Sequence, residues 1–144
     1  MRDDFDLSDF LPYALTRAAE RTGRDFEKIY KGRHGLLRTE WRVLFHLGRQ
    51  GAQGAMSARD ICALAGLHKT KVSRAVAALE TRRFLTRAQD ALDRRVELLS
   101  LTKAGRAAFA DLEGEARRYD RTLLAALSEG EVETLRRCLA QLAG

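Results

Sequence analysis

The sequence predicts a mainly α-helical domain with one small β-hairpin, a fold of the α+β kind. Three observations point there. Apolar residues return every three to four positions through most of the chain, the period of one helix face. One proline and 11 glycines in 144 residues are too few turn-formers for a many-stranded all-β fold. Between Leu85 and Leu101 the helical period is lost, and two short β-compatible runs flank a polar turn. The length predicts a single domain over 1–144, able to bury about two thirds of its unfolded surface.

Leu7, Phe10, Leu11, Ala14, Leu15 and Ala18 share one helical face, and Phe26, Ile29 and Tyr30 continue it beyond Gly23. Pro12 is tolerated only in the first turn, so this helix starts between Ser8 and Leu11. Gly32 to Leu37 reads as a loop. Thr39 is the expected N-cap of a second helix whose stripe is Trp41, Leu44, Phe45 and Leu47. Gly48, Gly51 and Gly54 end it in a flexible turn. Their spacing follows a helix and lacks a Lys-Ser/Thr partner, so it is no phosphate cradle. Ser57 with Asp60 resembles a capping box and opens a short third helix through Ile61 and Leu64, stopped at Gly66. A fourth helix starts near His68 and turns Val72, Ala75, Val76 and Leu79 inward. Leu85 to Asp90 and Arg95 to Leu101 form the hairpin. Thr102 caps a long fifth helix with Phe109, Leu112, Ala116, Tyr119, Leu123 and Leu127 inward. Ser128-Glu-Gly-Glu131 is an S-x-x-E capping box, and it starts a last helix carrying Val132, Leu135, Leu139 and Leu142.

The charge is concentrated. Between Gly66 and Arg95 stand Lys69, Lys71, Arg74, Arg82, Arg83, Arg87, Arg94 and Arg95 against Glu80, Asp90 and Asp93, a net +5 of the chain's +6. A one-sign block inside a folded region points to a polyanion. Two short helices joined by a tight turn, the second basic, make a helix-turn-helix, and the basic hairpin behind them makes it winged. The second helix of such a pair fits the major groove of double-stranded DNA. The expected outward residues are His68, Lys69, Thr70, Lys71, Ser73 and Arg74. Arginine pairs bidentately with guanine, while lysine and serine hold phosphates. Arg94 and Arg95 of the turn sit over the flanking minor groove. Arg82, Arg83 and Arg87, between helix and wing, read either as phosphate contacts or as surface charge only.

The run Lys71-Val-Ser-Arg-Ala-Val-Ala-Ala-Leu-Glu80, followed by Asp93-Arg-Arg-Val-Glu-Leu-Leu-Ser-Leu-Thr102-Lys-Ala-Gly105, resembles the MarR family of bacterial transcription regulators. The wing signature D-x-R-x-x-x-L-x-L-T matches at every fixed position, and the helix order extends the likeness over nearly the whole chain. The resemblance implies a homodimer on a pseudo-palindromic operator, with a winged helix-turn-helix part over 39–102 and helical dimerisation parts over 7–31 and 103–144. It implies that Arg95 enters the minor groove, that Asp93 orients it by a salt bridge, and that Ser73 and Arg74 are recognition contacts. It also implies a small phenolic or anionic effector lodged between the two halves, with Tyr13, Arg17 and Trp41 as its candidate lining, Arg17 pairing a carboxylate; the blander reading of Tyr13, Trp41 and Phe45 is core packing. Two departures stand out. Arg83 occupies a position usually held by glycine, where a left-handed cap follows the helix. His68 stands where a stronger N-cap is common.

Other readings are blander. His34, His46 and His68 lack metal-ligand spacing and read as loop or helix-face residues, so no metal or cofactor is expected. Cys62 is expected as a buried structural thiol, and Cys138 as packing at the dimer contact. Peroxide-sensing members of the family carry a reactive cysteine in the first helix, and this chain has none there. Two cysteines make no disulfide framework, and the acidic Met-Arg-Asp-Asp-Phe-Asp start has no apolar run behind it. A cytoplasmic protein without a membrane span is therefore expected. No nucleophile–base pair or cofactor fingerprint supports an enzyme. The competing function is a sequence-tolerant architectural DNA-binding protein without an effector.

Overall fold

The computed structural model describes residues 4–51 and 54–144. The first three residues, and part of the turn at 48–54, lie outside that range. A 3-10 turn at Leu7–Asp9 leads into α1 (Leu11–His34), α2 (Arg38–Gly48), α3 (Ala58–Ala65) and α4 (Lys69–Thr81). The antiparallel hairpin β1 (Leu85–Gln89) and β2 (Glu97–Leu101) follows, then α5 (Lys103–Leu124) and α6 (Glu129–Ala143). The predicted helices and hairpin are all present.

Most ends form for the expected reasons. Pro12 sits in the first turn of α1, where its missing N–H is not needed. Ser57 accepts from the Asp60 amide, Thr102 from Gly105, and Ser128 and Glu131 exchange both bonds of a capping box. His68 caps α4 through a ring nitrogen that accepts from the Thr70 amide at 3.3 Å. Two ends depart from expectation. α1 does not stop at Gly32 but runs on to His34, and Gly35 closes it at φ 64°. The extra turn carries Arg33 and His34 to the α5 carboxylate of Asp111. Thr39 is not the N-cap of α2. Leu37 takes that position with no side-chain cap, because the left-handed Gly35 and the fully buried Leu36 turn the chain directly into the helix.

The core sits under the fourth helix. Val43, Leu44 and Leu47 of α2, Ile61 of α3, and Val72, Val76 and Leu79 of α4 are all but excluded from solvent. Leu85 and Leu99 close it from the hairpin, and Leu112 from α5. Met56 pairs with Leu99 through both backbone bonds (3.0 and 2.7 Å), adding a one-residue third rung that the sequence did not signal. The outer elements are different. α6 buries no residue, and of α1 only Tyr30 is buried.

The link from α4 to the hairpin is tight. The amides of Arg83 and Phe84 bond the carbonyls of Glu80 and Leu79, a Schellman closure with arginine in the glycine position at φ 62°. The carbonyl of Arg83 accepts from the Thr102 hydroxyl at 2.7 Å, so the start of α5 holds this strained residue in place. Next to it, the first turn of α5 passes so near the Phe84 carbonyl that a Cβ on Gly105 would lie 1.9 Å from its oxygen.

Two outcomes follow from this corner. Arg83→Gly is expected to raise stability by about 1 kcal/mol, since a left-handed non-glycine residue costs on that order. Gly105→Ala is expected to lower it by about 1–3 kcal/mol through overpacking against backbone. Chemical denaturation of the two variants beside the parent checks both signs.

Candidate nucleic-acid interface

Helix α4 has two unlike faces. Val72, Ala75, Val76 and Leu79 are buried against α2 and α3, which fixes the rotation of the helix about its axis. That rotation turns His68, Lys69, Thr70, Lys71, Ser73 and Arg74 to solvent, all six in the first half of the helix or its cap. The expected outward set is therefore exposed on one rigid support.

The wing is a hairpin in register Leu85 with Leu101 through Gln89 with Glu97. Its turn is held by local bonds: the Asp90 amide to the Val96 carbonyl at 2.9 Å, and the Leu92 amide to the Asp90 carboxylate at 3.2 Å. Asp93 accepts from the backbone amide of Arg95 at 3.1 Å and from its Nε at 3.2 Å. These bonds hold the Asp93 carboxyl below its ordinary range. Arg95 Nη2 lies 3.5 Å from the other oxygen of the same carboxylate, yet the side chain is 92% exposed, so the pair orients the guanidinium without covering it. Arg94 is exposed beside it.

Two other arginines of the basic block have partners within the fold. Arg87 donates Nε to Glu80 at 3.1 Å and Nη1 to Glu97 at 3.4 Å, tying the end of α4 to both strands. Arg82 reaches the end of α1, with Nη1 2.8 Å from the His34 carbonyl and Nη2 2.5 Å from that of Gly35. The charge count alone did not separate these two from the other cations, because the partners of Arg82 lie 47 and 48 residues back and those of Arg87 lie on α4 and the opposite strand.

The three residues expected to line an effector site do not come together within the chain. Arg17 lies over the Tyr13 ring at 6.0 Å, and both are exposed on the first half of α1. Trp41 instead packs among Phe26, Tyr30 and Phe45, stacked on Tyr30 at 6.0 Å and 16°. Phe26 stands thirteen residues beyond Tyr13, about 20 Å along the helix. Trp41 lines a cavity of about 520 Å³ between α1 and α2, together with Gly23, Glu27, Tyr30, Arg38 and Arg42. Burial, and then the neighbouring Arg38, push the Arg42 guanidinium below its ordinary value. A second cavity of about 620 Å³ lies across Phe26, between Phe45, Arg49 and Tyr119.

The histidines and cysteines also find places. His34 and Arg33 share the Asp111 carboxylate, at 2.7 Å for the imidazole and 2.7 and 2.9 Å for the guanidinium. Arg33 and then His34 hold Asp111 far below the usual carboxylate range. His34 is thus a helix-terminal residue hydrogen-bonded to a carboxylate rather than a loop one. Burial, with Arg42 and Arg49 nearby, pushes the His46 imidazole down. Cys62 packs against the core but is half-buried rather than enclosed, and Cys138 is half-buried on α6. Among the described residues no three His, Cys, Asp or Glu side chains converge to hold a metal, and no helix is long and apolar enough to cross a membrane.

Comparison with known proteins agrees with this geometry. The chain is 27% identical over 129 residues to the uncharacterized HTH-type transcriptional regulator YwaE of Bacillus subtilis, covering 90% of this chain and 74% of that one. A probable transcriptional regulator from Pseudomonas aeruginosa is 29% identical, with a TM-score of 0.76 over 95% of this chain and 99% of its own. CouR of Rhodococcus jostii RHA1, crystallised with p-coumaroyl-CoA, is 25% identical, with a TM-score of 0.82 over 96% and 94%. The profile of the MarR family matches residues 34–96, which run from the end of α1 through the helix-turn-helix into the wing. With a basic helix presented on a buried apolar face, an arginine-tipped hairpin behind it and relatives of the same architecture, the chain is similar to the MarR family of winged helix-turn-helix transcription regulators over the residues that carry the helix-turn-helix and the wing.

Proposed function

We propose that the protein is a homodimeric, sequence-specific regulator, acting as a repressor on pseudo-palindromic operators. Each subunit sets α4 in a major groove, with half-sites about one helical turn apart, and lays Arg95 in the flanking minor groove. The observation that carries this reading is the pairing of an exposed polar row from His68 to Arg74 with an Arg95 guanidinium that Asp93 orients but does not cover. The homodimer is supported by exposed apolar surface on the outer elements. Leu7, Phe10, Leu11 and Leu15 near one end and Leu123, Leu127, Leu135, Leu139 and Leu142 near the other are exposed along the outer helices. Cys138 lies beside Leu127 and Leu135 in that region.

An aromatic or anionic effector that loosens the hold on DNA completes the proposal. The cavity beside Trp41 supports it. The cavity joins aromatic walls to two guanidiniums, Arg38 and Arg42, that make no ion pair among the described residues. CouR, of related sequence and fold, binds p-coumaroyl-CoA. This location replaces the trio of Tyr13, Arg17 and Trp41, of which only Trp41 lines it.

Selection of sheared genomic DNA by the purified protein at physiological salt tests the reading. A few enriched pseudo-palindromic sites are expected, whereas broad recovery without a shared motif favours an architectural protein. On an enriched site, Arg95→Ala is expected to cost about 1–3 kcal/mol of binding, and Lys71→Ala to weaken all sequences alike and reduce the salt slope by about one. Trp41 is the only tryptophan, so its fluorescence reports on the cavity directly. A saturable change with benzoate or p-coumarate, absent with benzamide, is expected. No change with either acid removes the aromatic-acid effector from the reading.

A further inference from the structure

Arg82 stands in the middle of the basic block, yet its guanidinium is committed to the end of another helix. Two of its N–H groups donate to successive carbonyls, those of His34 and Gly35, where α1 stops. The last carbonyls of a helix have no intrahelical donor, and they form the negative end of its dipole. A planar fork on two adjacent acceptors sets orientation as well as distance. Glu40 of α2, the one buried charged side chain among the described residues, lies 3.8 Å from Arg82 Nε and adds a negative charge beside it. The approach is built into the backbone of Gly35, since a Cβ there would lie 3.1 Å from Arg82 Nη1 and the residue already has φ 64°.

We propose that Arg82 is a positioning residue for DNA recognition. It sets the angle at which α4 is presented and does not itself hold phosphate. This rests on the DNA-binding reading above. α4 packs mainly on α2, α3 and β1, all in the winged part of the fold. Arg82 adds a direct tie from its C-cap to α1, whose last turn is joined in turn to α5 by Arg33, His34 and Asp111. The outer helices and the reading helix thereby share one corner. α4 has 13 residues, so its reading end stands roughly 20 Å from this corner. A tilt of about 10° there moves the reading end by roughly 3 Å, the length of a hydrogen bond.

The test uses a duplex enriched by the wild-type protein from a random-sequence pool, beside an unselected duplex, with affinity read across a salt series. Arg82→Gln is expected to lose about tenfold or more on the enriched duplex, the scale of one mis-registered base contact, with little change on the unselected one. Its salt slope should stay that of the wild type, whereas a phosphate contact would lower the slope by about one. Arg82→Lys keeps the charge without the fork, and is expected to lose specificity in the same way at the same slope. It serves alone if thermal melting shows the glutamine variant unfolded. Equal losses on both duplexes with a reduced slope would make Arg82 a phosphate contact and overturn the proposal. So would unchanged binding of a folded variant. A wild-type protein that enriches no sequence would instead overturn the DNA-binding reading, and the proposal with it.

Discussion

Burial of Val72, Val76 and Leu79 against α2 and α3 fixes how α4 is rotated about its own axis, and the chemistry of the protein depends on that rotation. Each of these side chains contributes about 1.5–3 kcal/mol by leaving water. A helix advances about 100° per residue, so a slip by one position would carry Lys71 or Ser73 toward the core and draw apolar groups out. The same interaction that stabilises the winged part therefore selects which residues face solvent.

Within that frame the cations divide by what they touch. Arg87 bridges Glu80 and Glu97, and Arg82 grips the carbonyls that end α1. Both stiffen the corner from which helix and hairpin project. Arg94, Arg95, Lys69, Lys71 and Arg74 remain exposed. A net charge says how strongly a polyanion is attracted, but the distribution of partners says which cations are available to meet it. Surface pairs of this kind add little to global stability, and their effect here is on geometry.

The sequence was most informative where the determinants were local. The four inward positions of α4, the caps at Ser57, Thr102 and Ser128, and the Asp93–Arg95 pair all depend on neighbours a few residues away, and each stands as expected. It was least informative where a partner is remote. The extension of α1 through His34 depends on Asp111, 77 residues on, and the grip of Arg82 on carbonyls 47 and 48 residues back. Neither leaves a periodic trace. Thr39 had the right side chain for a cap, but the path of the chain had been decided earlier, at Gly35 and Leu36. The family resemblance, not a local pattern, groups Tyr13 and Arg17 with Trp41. A helix rises about 1.5 Å per residue, and that was enough to separate them.

The bond from Arg82 to α1 has a genetic consequence. It reads main-chain oxygens, so drift of the side chains in the last turn of α1 leaves its geometry unaltered, with Gly35 as the exception. A side chain there strains the backbone and crowds the guanidinium at once. On the proposed role of Arg82, alleles at this one glycine would collect with those at the wing arginine in a screen for lost regulation, and would be mistaken for contacts with the nucleic acid.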